Sequence, residues 1–174
     1  MTVLAASALQ LGPRQRHGRA INAVAEFLRY GFPKLRVPNI YLEPRIHLLS
    51  GVDILAVDRA GSGDLHVVEI KELANVKSSV QFDRYLESLK KWPAHFKYIA
   101  IPRSSDPEQF ISQTKLFAKN GIGRIGVILL EENGTDLPKV SLFSPAERFS
   151  VDGDSMQKIE KPLSKRKPDI EVRI

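Results

Sequence analysis

Residues 51–71, with the sequence GVDILAVDRAGSGDLHVVEIK, decide the fold of this chain. Two apolar runs, residues 52–58 and 65–71, are joined by the turn-forming segment Arg59 to Asp64. Two such runs around a Gly-rich turn are typical of a β-hairpin. Because both runs are nearly continuous in apolar residues, we expect strands that are buried on both faces.

Helices and further strands are predicted on either side of this hairpin. Apolar residues at helical spacing predict a first helix over 17–30, followed by an extended segment over 39–49. After the hairpin we expect helices over 79–92 and 107–119 and strands over 98–101, 124–131 and 139–143. This order predicts an α/β domain with a mixed β-sheet of four to five strands flanked by helices.

The length of 174 residues, 43% of them hydrophobic, is sufficient for one compact core. We therefore assign residues 1–150 to a single domain. From about Val151 the apolar periodicity fades and basic residues become frequent. Residues 151–174 are accordingly predicted to form a basic, flexible C-terminal tail.

Composition excludes several classes of site. The chain has no cysteine, so it cannot contain a disulfide, a thiolate zinc site, an iron–sulfur cluster or a cysteine nucleophile. The four histidines lack ligand spacing, so we expect oxygen atoms to hold any metal. The longest apolar run, 125–130, is far shorter than the roughly 18 residues that cross a bilayer, so we expect a cytoplasmic protein without a membrane partner.

Three charged residues of the hairpin are candidates for chemistry. Side chains alternate along a strand, so Glu69 and Lys71 share one face, and pairing of the hairpin brings Asp53 close to both. Two carboxylates suit Mg²⁺ (or Mn²⁺), and the backbone carbonyl of Ile70 could add an oxygen ligand. With Lys71 orienting a water, this set favours metal-assisted phosphodiester hydrolysis. The alternative is that Lys71 only forms a salt bridge with Glu69.

Asp53, followed across a hairpin by Glu69-Ile70-Lys71, resembles the PD-(D/E)XK, or restriction-endonuclease-like, nuclease superfamily. Gln81 and Tyr85 lie four residues apart on the next predicted helix and share a face, which resembles the Gln-x-x-x-Tyr element of the RecB-like branch. Residues 53–89 are also similar to the nuclease domain of the NucS mismatch endonucleases. The resemblance covers about 21–130 in element order and 51–89 in motif.

This resemblance implies a restriction-endonuclease-like fold and a Mg²⁺-dependent DNA nuclease of repair, recombination or defence, with an endonuclease favoured over an exonuclease. Asp53 and Glu69 would hold the metal, Lys71 would assist the water, and Gln81 and Tyr85 would position the DNA backbone or the water. The Cas4-like subgroup, which binds an iron–sulfur cluster, is excluded by the missing cysteines. Members often carry an acid on the first helix. Two acids are available as further ligands, Glu26 on the outer side of that helix and Glu43.

The formal net charge of +6 favours a polyanionic partner, which we expect to be DNA. The same fold could instead serve as a catalytically inactive nucleic-acid-binding or assembly module, or Glu69 and Lys71 could form a purely structural ion pair. A chain of this size without a separate recognition domain could also act as a homodimer or within a larger nucleoprotein complex. The candidates for phosphate binding, each of which could equally be a solvated surface residue, are Arg14, Arg16, Arg19, Lys90 and Lys91.

Overall fold

The computed structural model describes residues 12–30, 32, 38–59, 63–71, 79–103, 108–109, 112, 124–134 and 136–170, with the backbone alone for 79–82. The helix predicted over 107–119 therefore lies mostly outside the described residues. The elements are α1 (Pro13–Tyr30), β1 (Pro38–Leu42), a short 3-10 helix (His47–Leu49), β2 (Ile54–Asp58), β3 (Leu65–Ile70), α2 (Ser79–Lys90), β4 (Phe96–Pro102), β5 (Gly126–Glu131), β6 (Lys139–Ser144) and α3 (Gly153–Leu163).

The strands form one mixed sheet in the order β1-β2-β3-β4-β5-β6. The first three strands are an antiparallel meander, β3, β4 and β5 are parallel, and β6 returns antiparallel to β5. The α/β prediction agrees with this architecture, but the predicted count of four to five strands was too low. The additional strand is β1, in the segment that was predicted only as extended. It pairs along its length with β2, and periodicity alone does not reveal such pairing.

Helices cover both faces of the sheet. On one face, α1 buries Ile21, Val24 and Leu28 in a cluster with Val68 and Ile70 of β3. On the other face, α2 contributes buried leucines to a cluster with β4 and β5. The apolar stripe of α1 thus fixes this helix across the sheet, as its i, i+3, i+7 spacing predicts. No helix in the described ranges is long and apolar enough to span a membrane.

The C-terminal segment is ordered from 151 to 170, which corrects the prediction of a flexible tail. Asp152 caps α3 by accepting a hydrogen bond from the Ser155 N–H at 2.8 Å. Ile159 of α3 is completely buried in a cluster with residues of β2 and β3, flanked by Met156 and Leu163. These three apolar residues lie at helical spacing among many charges, and burying them offsets the cost of ordering the segment.

Beyond α3 the chain binds to the outer edge of β1. Ile40 and Ile170 exchange two backbone hydrogen bonds, both of 3.1 Å. Arg166 donates to the carbonyl oxygens of Leu42 and Pro44, at 3.2 and 3.0 Å. The C-terminal segment is therefore a structural part of the domain, joined to the segment that follows β1.

Candidate active site

The end of the β2–β3 hairpin brings together the three charged residues of the motif. The paired part of β2 begins at Ile54, opposite Val68, and Asp53 directly precedes it. Glu69 is the penultimate residue of β3 and Lys71 follows its end. The hairpin register therefore places both carboxylates and the ammonium group at one end of the sheet, as the sequence predicted.

The Asp53 carboxylate accepts a backbone hydrogen bond at the end of β3, where β2 no longer pairs with this strand. Backbone groups of alternate residues point to the same neighbouring strand, so those of Val68 and Ile70 face β2. Val68 pairs with Ile54, but Ile70 lies beyond the last β2–β3 pair. Its N–H donates instead to Asp53 Oδ2 at 2.6 Å. By the same alternation, the Ile70 carbonyl faces the side of β2.

Glu69 is a buried carboxylate with one unused oxygen. The residue is only 8% exposed, and its side chain forms an ion pair with the Lys71 ammonium group. Among the described residues, the buried Oε2 atom of Glu69 has no hydrogen-bond partner. Burial raises the pKa of Glu69, the pair with Lys71 opposes this shift, and the charge of Asp53 adds to it. A buried oxygen without a partner is costly and marks a position for a cation or a donor.

His17 belongs to the same site, although it was not predicted as a site residue from the sequence. Its Nε2 atom lies 3.2 Å from Asp53 Oδ1. Its position four residues before the buried Ile21 places it on the inner face of α1, and this spacing was the available signal. Burial raises the pKa of Asp53, whereas the Ile70 N–H, His17 and Lys71 lower it.

Replacement of His17 by Ala is expected to raise the pKa of Asp53 further, because the substitution removes both a hydrogen bond and a nearby positive charge. The pKa can be measured by NMR titration of the Asp53 carboxyl carbon. His47→Ala is the matched control, because His47 borders a cleft next to Asp53 but does not contact its carboxylate. An unchanged or lower Asp53 pKa in His17→Ala would contradict the assigned contact.

Tyr85 of α2 also contacts Lys71. The Lys71 Nζ atom lies 4.9 Å from the centroid of the Tyr85 ring, a distance at which a cation and an aromatic ring attract. Gln81 lies one turn earlier on α2, and its side chain is outside the described residues. The structure thus places Tyr85, but not the Gln81 side chain, beside the charged residues.

Two clefts open beside these residues, and Glu43 borders both. The larger, of about 720 Å³, is lined by Arg14, His17 and Lys71. The smaller, of about 400 Å³, is lined by Arg45, His47 and Asp53. Glu43 is itself joined to Asp53, since its N–H donates to the Asp53 carbonyl oxygen at 2.7 Å. Asp53, Ile70 and Lys71 are therefore accessible to a ligand in one or the other cleft.

The donor set consists of oxygen atoms and fits a hard divalent cation such as Mg²⁺ or Mn²⁺ better than zinc or copper. Among the described residues, no group of three His, Asp or Glu side chains is arranged to hold a metal. Mg²⁺ needs no such group, because one or two carboxylates with waters and substrate oxygens suffice. Glu26 lies on the exposed side of α1, so the structure does not place this acid in the site.

The candidate phosphate-binding residues do not form one surface. Arg14 borders the larger cleft, whereas Arg16 is exposed two residues further along α1 and so faces elsewhere. Arg19 donates to the carbonyl oxygen of Asp136. Lys90 pairs with Glu87 at 2.8 Å, and Lys91 is exposed just beyond α2, about 9 Å along the helix axis from Tyr85. Of the predicted basic residues, Arg14 is the one that the structure brings to a cleft of the site.

Comparisons with known proteins found no family model and no curated protein that matches this sequence. A solved structure of a protein of unknown function from Silicibacter pomeroyi is similar to this chain, with a TM-score of 0.49 and 18% sequence identity over 90% of each chain.

Proposed function

We propose that this protein is a metal-dependent nuclease that hydrolyses phosphodiester bonds in DNA. The observation that carries the proposal is the buried Oε2 atom of Glu69, which lacks a partner among the described residues at the end of the hairpin that also holds Asp53. Asp53 is a second carboxylate close by and is only partly exposed, and two neighbouring negative charges of this kind are unfavourable unless a cation offsets them. The resemblance of Asp53 and Glu69-Ile70-Lys71 to the PD-(D/E)XK superfamily supports the same reaction.

Asp53, Glu69 and the Ile70 carbonyl would hold Mg²⁺ or Mn²⁺. Such an ion, when bound, polarises a phosphoryl oxygen and lowers the pKa of a water molecule. The Asp53 carboxylate is fixed for this task by the Ile70 N–H on one oxygen and by His17 on the other. Both contacts reduce the reorganisation that binding requires.

Lys71 would act on the phosphate and the attacking water. Its ammonium group contacts both the Glu69 carboxylate and the Tyr85 ring, and the residue also borders the larger cleft. A positive charge at this place stabilises the negative charge that develops on the phosphoryl oxygens. Arg14, across the same cleft, would bind the DNA backbone, with Gln81 and Tyr85 as further contacts.

The test is a cleavage assay with purified protein on supercoiled, linear duplex and single-stranded DNA. We expect at least one of these DNA forms to be cut in Mg²⁺ or Mn²⁺ and none to be cut in EDTA. The catalytically inactive nucleic-acid-binding module remains the second candidate, because the Lys71 ammonium group already pairs with one oxygen of the Glu69 carboxylate and offsets its charge without a metal. Salt-sensitive DNA binding that does not respond to Mg²⁺, without cleavage, would favour that candidate.

A further inference from the structure

The loop after β1 contains two residues in an unfavourable backbone conformation. Glu43 and Arg45 have φ angles of 43° and 50°, in the left-handed region. This region costs a non-glycine residue about 1–2 kcal/mol, and glycine would remove the cost. The chain instead carries a charged side chain at both positions. Strain of this kind is retained where neighbouring structure enforces it, frequently at functional sites.

Neighbouring structure does enforce the conformation of this loop. Arg166 donates to the carbonyl oxygens of Leu42 and Pro44, on either side of Glu43. The Leu42 N–H donates to Asp169 Oδ2 at 2.7 Å, and Arg166 pairs with the same oxygen at 2.9 Å. The C-terminal segment therefore holds the loop against Asp53 in the orientation that directs Glu43 and Arg45 toward the clefts.

Glu43 borders both clefts, which differ in their basic residues. The larger contains Arg14 and Lys71, and the smaller contains Arg45 and His47. The Arg45 side chain is exposed to solvent, so a phosphate group can reach it. Asp53 borders the smaller cleft and Lys71 the larger, so each cleft contains one charged residue of the site together with basic residues.

We infer that Arg45 binds a backbone phosphate in the smaller cleft while Arg14 binds one in the larger, so that a DNA strand continues on both sides of the bond that is cut. The inference rests on the proposed nuclease function and adds to it that cleavage is internal. A site limited to strand ends needs phosphate contacts on one side only, whereas basic residues on both sides accommodate a continuous strand.

Closed-circular DNA tests the internal cut, since it has no ends. We expect the wild-type protein to cut circular and linear DNA of the same sequence and strandedness at initial rates that agree within about two-fold. Efficient cleavage of linear DNA with resistant circles would overturn the inference and leave the proposed nuclease function intact. Resistance of both forms would overturn the proposed function, and the inference with it.

Variants of Arg45 test the phosphate contact. In Arg45→Gly, which relieves the backbone strain and so preserves the fold, we expect KM to rise about 5–10-fold with kcat within about two-fold of wild type. The slope of log affinity against log salt should fall by about 0.7–0.9, the contribution of one phosphate contact. Arg45→Asn, which tolerates the left-handed region, should show the same loss, and Arg45→Lys should recover most of the affinity.

Arg59→Ala is the matched control, because Arg59 follows the opposite end of β2 from Asp53 and is equally exposed. We expect wild-type KM and an unchanged salt slope for this variant. If Arg45→Gly and Arg59→Ala both bind and cut DNA like the wild type, while the wild type is active, Arg45 does not contact the strand.

Discussion

Replacement of Asp53 by Asn is expected to lower kcat for DNA cleavage by at least about 10²–10³-fold while the protein remains folded. The amide oxygen of Asn can still accept the hydrogen bond that the Ile70 N–H gives to Asp53, so the end of the hairpin should keep its structure. The substitution removes the negative charge with which Asp53 would hold the cation. The loss of activity therefore reports on the charge and not on the fold.

Asp58→Asn provides the control for this substitution. Asp58 ends β2, whereas Asp53 directly precedes that strand; Asp58 is buried but lines neither cleft of the site. We expect its activity to stay within about two-fold of wild type. Circular dichroism and thermal melting of both variants establish that each is folded. Equal cleavage by wild type, Asp53→Asn and Lys71→Ala would contradict the assignment of the active site.

Addition of Mg²⁺ or Mn²⁺ is expected to raise the thermal stability of the protein. A cation that binds the folded state alone, at ten times its Kd, stabilises that state by about 1.4 kcal/mol. For a domain of this size the corresponding increase in Tm is about 3–6 °C. The increase should be absent from Asp53→Asn and from Glu69→Gln, which each remove one of the two charges.

The stabilisation by cation should also depend on pH. Burial raises the pKa values of Asp53 and Glu69 above their ordinary values of 3.8 and 4.5. The stability that these groups contribute is therefore fully present below the ordinary values and is lost as the pH rises through the raised values. Above that window two neighbouring carboxylates are charged, and a cation relieves their repulsion.

We accordingly expect the Tm increase with Mg²⁺ to be larger near pH 8 than near pH 5, where protons compete for the same oxygens. Differential scanning fluorimetry at constant ionic strength, with NaCl replacing MgCl₂, separates binding from general screening. Glu87→Gln is a suitable control, since Glu87 is an exposed acid that pairs with Lys90 on α2. A Tm increase that is equal in wild type and Asp53→Asn would place the cation elsewhere.

Local pattern was sufficient to predict the hairpin and the convergence of Asp53, Glu69 and Lys71. Alternation along a strand and a short turn determine these positions within about twenty residues of sequence. The contact between His17 and Asp53 spans 36 residues and depends on how α1 crosses the sheet. No short-range pattern specifies that crossing, so the sequence alone could not place this histidine in the site.

Two other features escaped prediction for different physical reasons. The left-handed conformation after β1 occurs at Glu43 and Arg45, whereas sequence signals for it rely on Gly, Asn or Asp. The helix α3 buries a narrow stripe around Ile159 in a segment that is otherwise charged. Such a sparse pattern indicates a helix only when the surface that it covers is known.

The pairing of Ile170 with Ile40 also limits how copies of this chain can associate. Because residues 169–170 occupy the outer side of β1, the sheet in the described part of the chain has a single open edge, at β6. Strands with exposed backbone groups recruit other strands, and a sheet open at both sides can extend without limit into a fibre. A sheet with one open edge can pair with only one other sheet. Association of two copies of this chain through their β6 edges would therefore stop at a two-fold symmetric dimer.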